Sequence, residues 1–274
     1  MHCSLCGDKP AIENSHVIPK FIFTWLKETS PTGYLRTTEN PRMRTQDGHK
    51  GAYLCRDCEL RFSKLENHFS KHFFLQAIRD PTEKMPEPVL DDTSMKCVLS
   101  IMWRSTVHFL ATHGSKENNV QPHDYVALDQ ARSNLMRALN GKLSFKINFM
   151  HLTPDNVRAH GLPDYYKNAY FYDRAVAEDV RFENSGATAW LKIPRVVFWI
   201  HTAKEIGNHM QGTVQQDPKD LEKLTAFVIQ LTDLLNATRA AMPERQLQKI
   251  FDSLRPEKEN GDWSASAKRE LGGS

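Results

Sequence analysis

Apolar residues change their spacing twice along this chain. Met95, Val98, Leu99, Met102 and Trp103 recur at three- and four-residue intervals, which lays one apolar stripe along a helix. Thr93 or Ser94 can start that helix by capping a backbone N–H with a side-chain oxygen. A second helix is predicted over residues 126–139, ended by Asn140-Gly141, because glycine readily takes the left-handed conformation that closes a helix. Beyond it the apolar runs turn β-branched and aromatic, so residues 143–151, 169–182 and 189–201 read as strands. The last holds Trp190, Leu191, Ile193, Val196, Val197, Phe198, Trp199 and Ile200, and is expected to break at Pro194, whose missing N–H cannot join a ladder. The helical period returns from Pro218 to Ala241, with Asp217 as its cap. From Pro256 onward the chain is polar and carries Gly261, Gly272 and Gly273, a composition that predicts disorder.

Between Asp80 and Asp92 stand Pro81, Pro86 and Pro88, which no helix interior accommodates. That linker divides the chain into residues 1–80, an α+β region at 94–254 of helices and antiparallel sheet, and a tail at 255–274. Hydrophobic residues at 40% and charged residues at 25% are ordinary for a soluble globular protein. The net charge of +3 is carried entirely by residues 1–80, which permits a nucleic-acid partner without demanding one. No apolar run approaches the roughly 18 residues needed to span a bilayer, so no membrane association is expected. Met1-His2 leads straight to a cysteine pair, and no export signal is expected. Five cysteines, an odd number, favour metal over disulfides and a reducing, cytoplasmic setting. Cys97 lies in an apolar stretch and reads as core.

The other four cysteines form two C-x2-C pairs, Cys3 with Cys6 and Cys55 with Cys58. Four thiolates in two tight turns suffice for a closed, tetrahedral, structural zinc site. The long loop between the pairs turns metal binding into folding energy. Gly7 after the first pair suits a turn whose amides point back at the sulfurs. Between the pairs lies Ser15-His16-Val17-Ile18-Pro19, read as a short strand stopped by proline, and after the second pair comes a helix with Phe62, Leu65 and Phe69 on its apolar side.

Cys-x-x-Cys-Gly, then Ser15-His16-Val17-Ile18-Pro19-Lys20-Phe21, then Cys-x-x-Cys-Glu with Ser63-Lys64-Leu65-Glu66 resembles a divergent branch of the HNH endonucleases, over about residues 1–75. The resemblance implies a treble-clef, ββα-metal zinc element at the N-terminus. It implies that His16 takes a proton from water for attack on a phosphodiester of nucleic acid, DNA in the first instance. It also implies a divalent cation that neutralises charge on the phosphate and the leaving oxygen. Two positions depart from the usual pattern: Ser15 stands where Asp or His is common, and Glu59 where His is common. Glu59 suits Mg²⁺ or Mn²⁺ as an oxygen ligand, and helical spacing places Glu59, Ser63 and Glu66 on one face. His68 and His72 fall on the other side, and His49 is a loose match to the asparagine that usually orients the base.

Each of these residues also has a plainer reading. His16 could be a packed histidine, Glu59 an acid favoured by a helix N-terminus, and Glu66 a salt-bridge partner. Trp103-Arg104 reads as core beside a partly buried cation, and Arg36, Arg42, Arg44 and Lys50 as a solvated loop or a phosphate track. Two functions therefore stand side by side: a metal-dependent HNH-like endonuclease, with defence against foreign DNA as one setting, and a catalytically inactive zinc-stabilised module that binds nucleic acid or protein. Residues 94–254 would select substrate, or hold the nuclease silent through a regulatory partner or a homo-oligomer.

Overall fold

The computed structural model describes residues 1–30, 33–38, 40, 43–79, 87–113, 122–143, 145–183, 186–202, 211–213 and 218–240. In chain order these form β1 (Ser15–His16), α1 (Lys20–Glu28), β2 (Lys50–Gly51), α2 (Arg56–Phe69), a π-helical turn (Ser70–Phe74) and α3 (Leu75–Ala77). There follow α4 (Asp92–His113), α5 (Pro122–Leu139), β3 (Lys146–His151), α6 (Pro154–Ala159), α7 (Ala169–Arg174), β4 (Ala177–Glu183), β5 (Gly186–Ile193), β6 (Val196–His201), β7 (Gln211–Thr213) and α8 (Pro218–Ala240). The chain is α+β. Five strands lie in the order β4-β5-β6-β3-β7, antiparallel except for the parallel pair of β3 and β7, and β1 pairs antiparallel with β2 in a separate ribbon. No helix among the described residues is long and apolar enough to cross a membrane.

Backbone contacts divide the chain into two units, the first of Met1–Ile18 with His49–Thr225. The second comprises Pro19–Gly48 with the described residues from Ala226. It contains α1, whose Ile22, Phe23 and Leu26 are buried, a bridge between Leu35 and Thr45, and Arg44 stacked 4.5 Å from the Tyr34 ring. Of the linker read at residues 80–92, the described part begins at residue 87. Residues 87–91 of that stretch are irregular, and 80–86 lie outside the described residues.

In the first unit the aromatic residues of β5 and β6 build the sheet core. Trp190 and Trp199 are direct cross-strand partners and stack at 5.6 Å. The π-helical turn after α2 adds a residue to one helical turn and brings Phe73 within 5.5 Å of Phe198 and 5.7 Å of Phe149, ring centre to ring centre. Leu128 and Ala131 of α5 pack with Val180 and Ala187 of β4 and β5, and Phe109 and Leu110 of α4 complete that cluster.

Several sequence expectations need correction. The cap of α4 is Asp91, whose Oδ1 accepts from the Ser94 N–H at 2.8 Å, in place of Thr93 or Ser94. Helix α5 begins at Pro122, where a missing N–H costs nothing in a first helical turn. Its stop is as read: Gly141 has φ +70° and Lys142 donates back to the Arg137 carbonyl at 2.8 Å. Residues 169–182 are not one strand, since α7 occupies their first six positions. The break at Pro194 holds, with Arg195 at φ +62° turning β5 into β6. Asp217 and the tail lie outside the described residues.

Helix α7 survives in strand-like sequence because Lys192 caps it from the sheet. The Lys192 Nζ is wholly buried and donates to the carbonyls of Tyr172 at 2.8 Å, Ala175 at 3.1 Å and Ile193 at 2.9 Å. Burial pulls its pKa well below the usual lysine range, partly offset by Asp173, so the three acceptors carry the case for keeping it. Lys192→Met takes this donor from the three carbonyls, of which Tyr172 keeps the Arg195 N–H at 2.8 Å, and is expected to cost about 1–3 kcal/mol. Urea melts of the two proteins check this, and an unchanged midpoint would refute it.

Candidate functional site

The two cysteine turns are stitched together before any metal is considered. Gly7 N–H donates to the Cys3 carbonyl, Cys3 N–H to the Lys9 carbonyl, Ser4 N–H to the Tyr53 carbonyl and Ile12 N–H to the Leu54 carbonyl, each at 2.8 Å. Gly7 sits at φ +73°, a left-handed value that suits glycine, and Lys9 pairs with Asp57 across the two turns. This brings the sulfurs of Cys3, Cys6, Cys55 and Cys58 within 4.8 Å of one another. Cys6 and Cys55 lie 3.8 Å apart, matching the sulfur spacing of about 3.8 Å that a tetrahedron with metal–sulfur bonds of about 2.3 Å requires. Four close cysteines of this kind could hold a metal such as zinc.

The thiols are tuned unequally. The backbone amides of Lys9, then Asp8, lower Cys6 to about 6. Burial first, and hydrogen bonding to Cys55 and Cys3 second, push Cys58 well above the usual thiol range. Four adjacent thiolates repel one another, so only a cation among them makes full ionisation favourable. Cys97 is buried in the apolar interior, as read.

Beside the quartet lies a polar cluster. In the β1–β2 ribbon Ser15 faces Gly51 and His16 faces Lys50. Ser15 is fully buried; its Oγ accepts from the Leu54 N–H at 3.3 Å, and it lies near enough to Glu59, in the first turn of α2, to lower that carboxyl's pKa. Burial raises the Glu59 pKa, Arg104 lowers it and Glu66 raises it. Glu59 Oε2 is buried and accepts no hydrogen bond among the described residues. Glu66 meets the Arg104 guanidinium at 2.8 Å. The His16 Nε2 atom is buried.

Arg104 is the buried cation that the sequence places beside Trp103, with partners that no local pattern indicates. It is 1% exposed and gathers the site from α4. Its Nη1 donates to the His16 carbonyl at 2.9 Å, its Nε to the Ser100 carbonyl at 3.3 Å, and its guanidinium lies 5.4 Å from the centre of the Phe62 ring. An arginine flanked by Val98, Leu99, Met102, Trp103 and Val107 was the available signal, because a buried guanidinium requires a carboxylate.

The structure thus brings Ser15, Glu59 and Glu66 to one place. Among the described residues only the four cysteines place three or more potential ligand atoms close enough to share one ion, and His16, Glu59 and Glu66 do not form a second such group. His68 and His72 stack at 4.3 Å, with His68 bonded to Asp91 at 2.6 Å. His49 lies next to β2, with its Nδ1 3.1 Å from Glu178 Oε1 and its ring 4.6 Å from that of His108. Arg42 lies outside the described residues. A scan of protein-family models, a search of curated proteins and a search of solved structures each gave no match to the chain.

Proposed function

We propose that residues 1–75 are a zinc-held, treble-clef ββα element of the HNH kind that hydrolyses phosphodiesters of nucleic acid, with DNA as the substrate to test first. The nearness of Ser15 to Glu59 carries this reading, because these are the two positions at which the HNH pattern has its metal ligands. Zinc on Cys3, Cys6, Cys55 and Cys58 holds the frame. Glu59 and Ser15 offer hard oxygen donors that suit Mg²⁺ or Mn²⁺, while Glu66 is already engaged by Arg104. When bound, the divalent ion neutralises charge on the phosphate and the leaving oxygen. His16 accepts the proton of the attacking water, and Arg104 fixes the strand that carries it through the His16 carbonyl.

A second reading is a zinc-stabilised binding module without catalysis. It is favoured by one observation: the Arg104 guanidinium supplies a cation where Glu66 would otherwise bind metal.

Cleavage of plasmid and single-stranded DNA with Mg²⁺ or Mn²⁺ decides between them. Wild type is expected to cut, and His16→Ala with its full zinc content to lose about 10²–10⁴-fold. DNA binding without cleavage by the zinc-loaded wild type would establish the module. Equal cleavage by both proteins would remove His16 from the mechanism.

A further inference from the structure

A second titratable cluster adjoins the ribbon, assembled from three separate segments. Tyr53 follows β2, His108 lies one helical turn beyond Arg104 on α4, Glu178 is on β4, and His49 immediately precedes β2. Tyr53 Oη and His108 Nδ1 are 2.7 Å apart. The His108 ring stacks on His49 at 26° between planes, and His49 Nδ1 meets Glu178 Oε1 at 3.1 Å. The Glu178 side chain is 10% exposed and that of His49 53%. A carboxylate so nearly buried requires a hydrogen-bonding cation, and the imidazole that meets it is accessible to a substrate. Stacking on one side and the carboxylate on the other fix both the plane and the tautomer of His49, which is how a proton-transfer histidine is oriented.

The ribbon also gives this histidine an address. The Val17 N–H donates to the His49 carbonyl at 3.0 Å, continuing the ladder in which Ser15 faces Gly51. The ladder therefore sets His49 across from Val17, next along the ribbon to the His16–Lys50 pair.

We propose that His49, oriented by Glu178, is the general acid that protonates the leaving oxygen of the phosphodiester. This rests on the nuclease reading above. As water's oxygen bonds to phosphorus, its proton passes to the base. The bond from phosphorus to the leaving oxygen breaks, and that oxygen takes its proton from Nε2 of the His49 imidazolium. Nδ1 stays on Glu178, whose negative charge stabilises the imidazolium before transfer. Water returns a proton to His49 after release. His49 is the catalytic residue in this step, and Glu178 and His108 position it.

The test compares plasmid DNA with a deoxynucleoside p-nitrophenyl phosphodiester, whose leaving group needs no proton. On DNA, His49→Gln is expected to lose about 10²–10⁴-fold, and to lack the fall in kcat/KM at alkaline pH expected of the wild type. On the p-nitrophenyl ester the loss is expected to be under about tenfold. Glu178→Gln is expected to show the same dependence on leaving group with a smaller loss, a pattern that mere loosening of the fold would not give. His16→Ala loses activity on both substrates. Equal losses by His49→Gln on both substrates, or none on DNA, overturn the acid role alone. No cleavage of either substrate by zinc-loaded wild type overturns the nuclease reading and the acid role with it.

Discussion

Stripping metal from the four cysteines is expected to unfold the N-terminal frame. The first pair closes on the second across more than 40 residues, and the amide bonds between the turns depend on both being in place. Zinc in such a site contributes about 10–16 kcal/mol of apparent binding energy near neutral pH, and where no preformed site exists in the unfolded chain this is folding energy. Cys55→Ser removes one of the two buried ligands. It is expected to release the metal and to lower the melting temperature by at least about 10 °C, given about 2–4 °C per kcal/mol for chains of this size. Zinc counted by a colorimetric chelator, beside calorimetry of both proteins, reads the outcome. A zinc-free chain that melts with the wild type would end the structural-zinc account.

Removing Arg104 is expected to be nearly as damaging. With that guanidinium gone, Glu66 keeps its place beside Glu59 with no cation to offset it, and the His16 carbonyl loses a donor. Breaking a buried pair from one side costs about 3–5 kcal/mol, whereas replacing both charges by apolar groups is often close to neutral. Arg104→Met is therefore expected to fall in that range, and Arg104→Met with Glu66→Met to recover more than half of it. The double-mutant cycle in urea measures the coupling. If the double variant is no better than the single one, Arg104 acts through packing on Phe62 and not through charge.

The two sites differed in how much of them the sequence disclosed. Cysteine spacing disclosed the quartet, because two C-x2-C turns have few other uses. The helices were legible from periodicity, and the β5–β6 turn from Pro194. Residues 169–174 were misread because Phe171 and Tyr172 carry strand propensity, while the group that makes them helical, Lys192, comes 20 residues later from a neighbouring strand. The polar cluster was half legible: helical spacing joined Glu59 to Glu66, but nothing local revealed that Arg104, 38 residues past Glu66, neutralises it. His49 and Glu178 lie 129 positions apart, a separation at which no pattern along the chain reports contact.

The β1–β2 ribbon has a consequence for how this chain can diversify. Pairing of Ser15 with Gly51 and the Val17–His49 bond bring both ends of the intervening excursion to one point. Once its ends are fastened, a loop can double in length for only about 0.6 kcal/mol of added closure entropy. Outside helix α1, the segment between Pro19 and Gly48 can therefore change in length at little cost in closure entropy while both of its ends stay fastened.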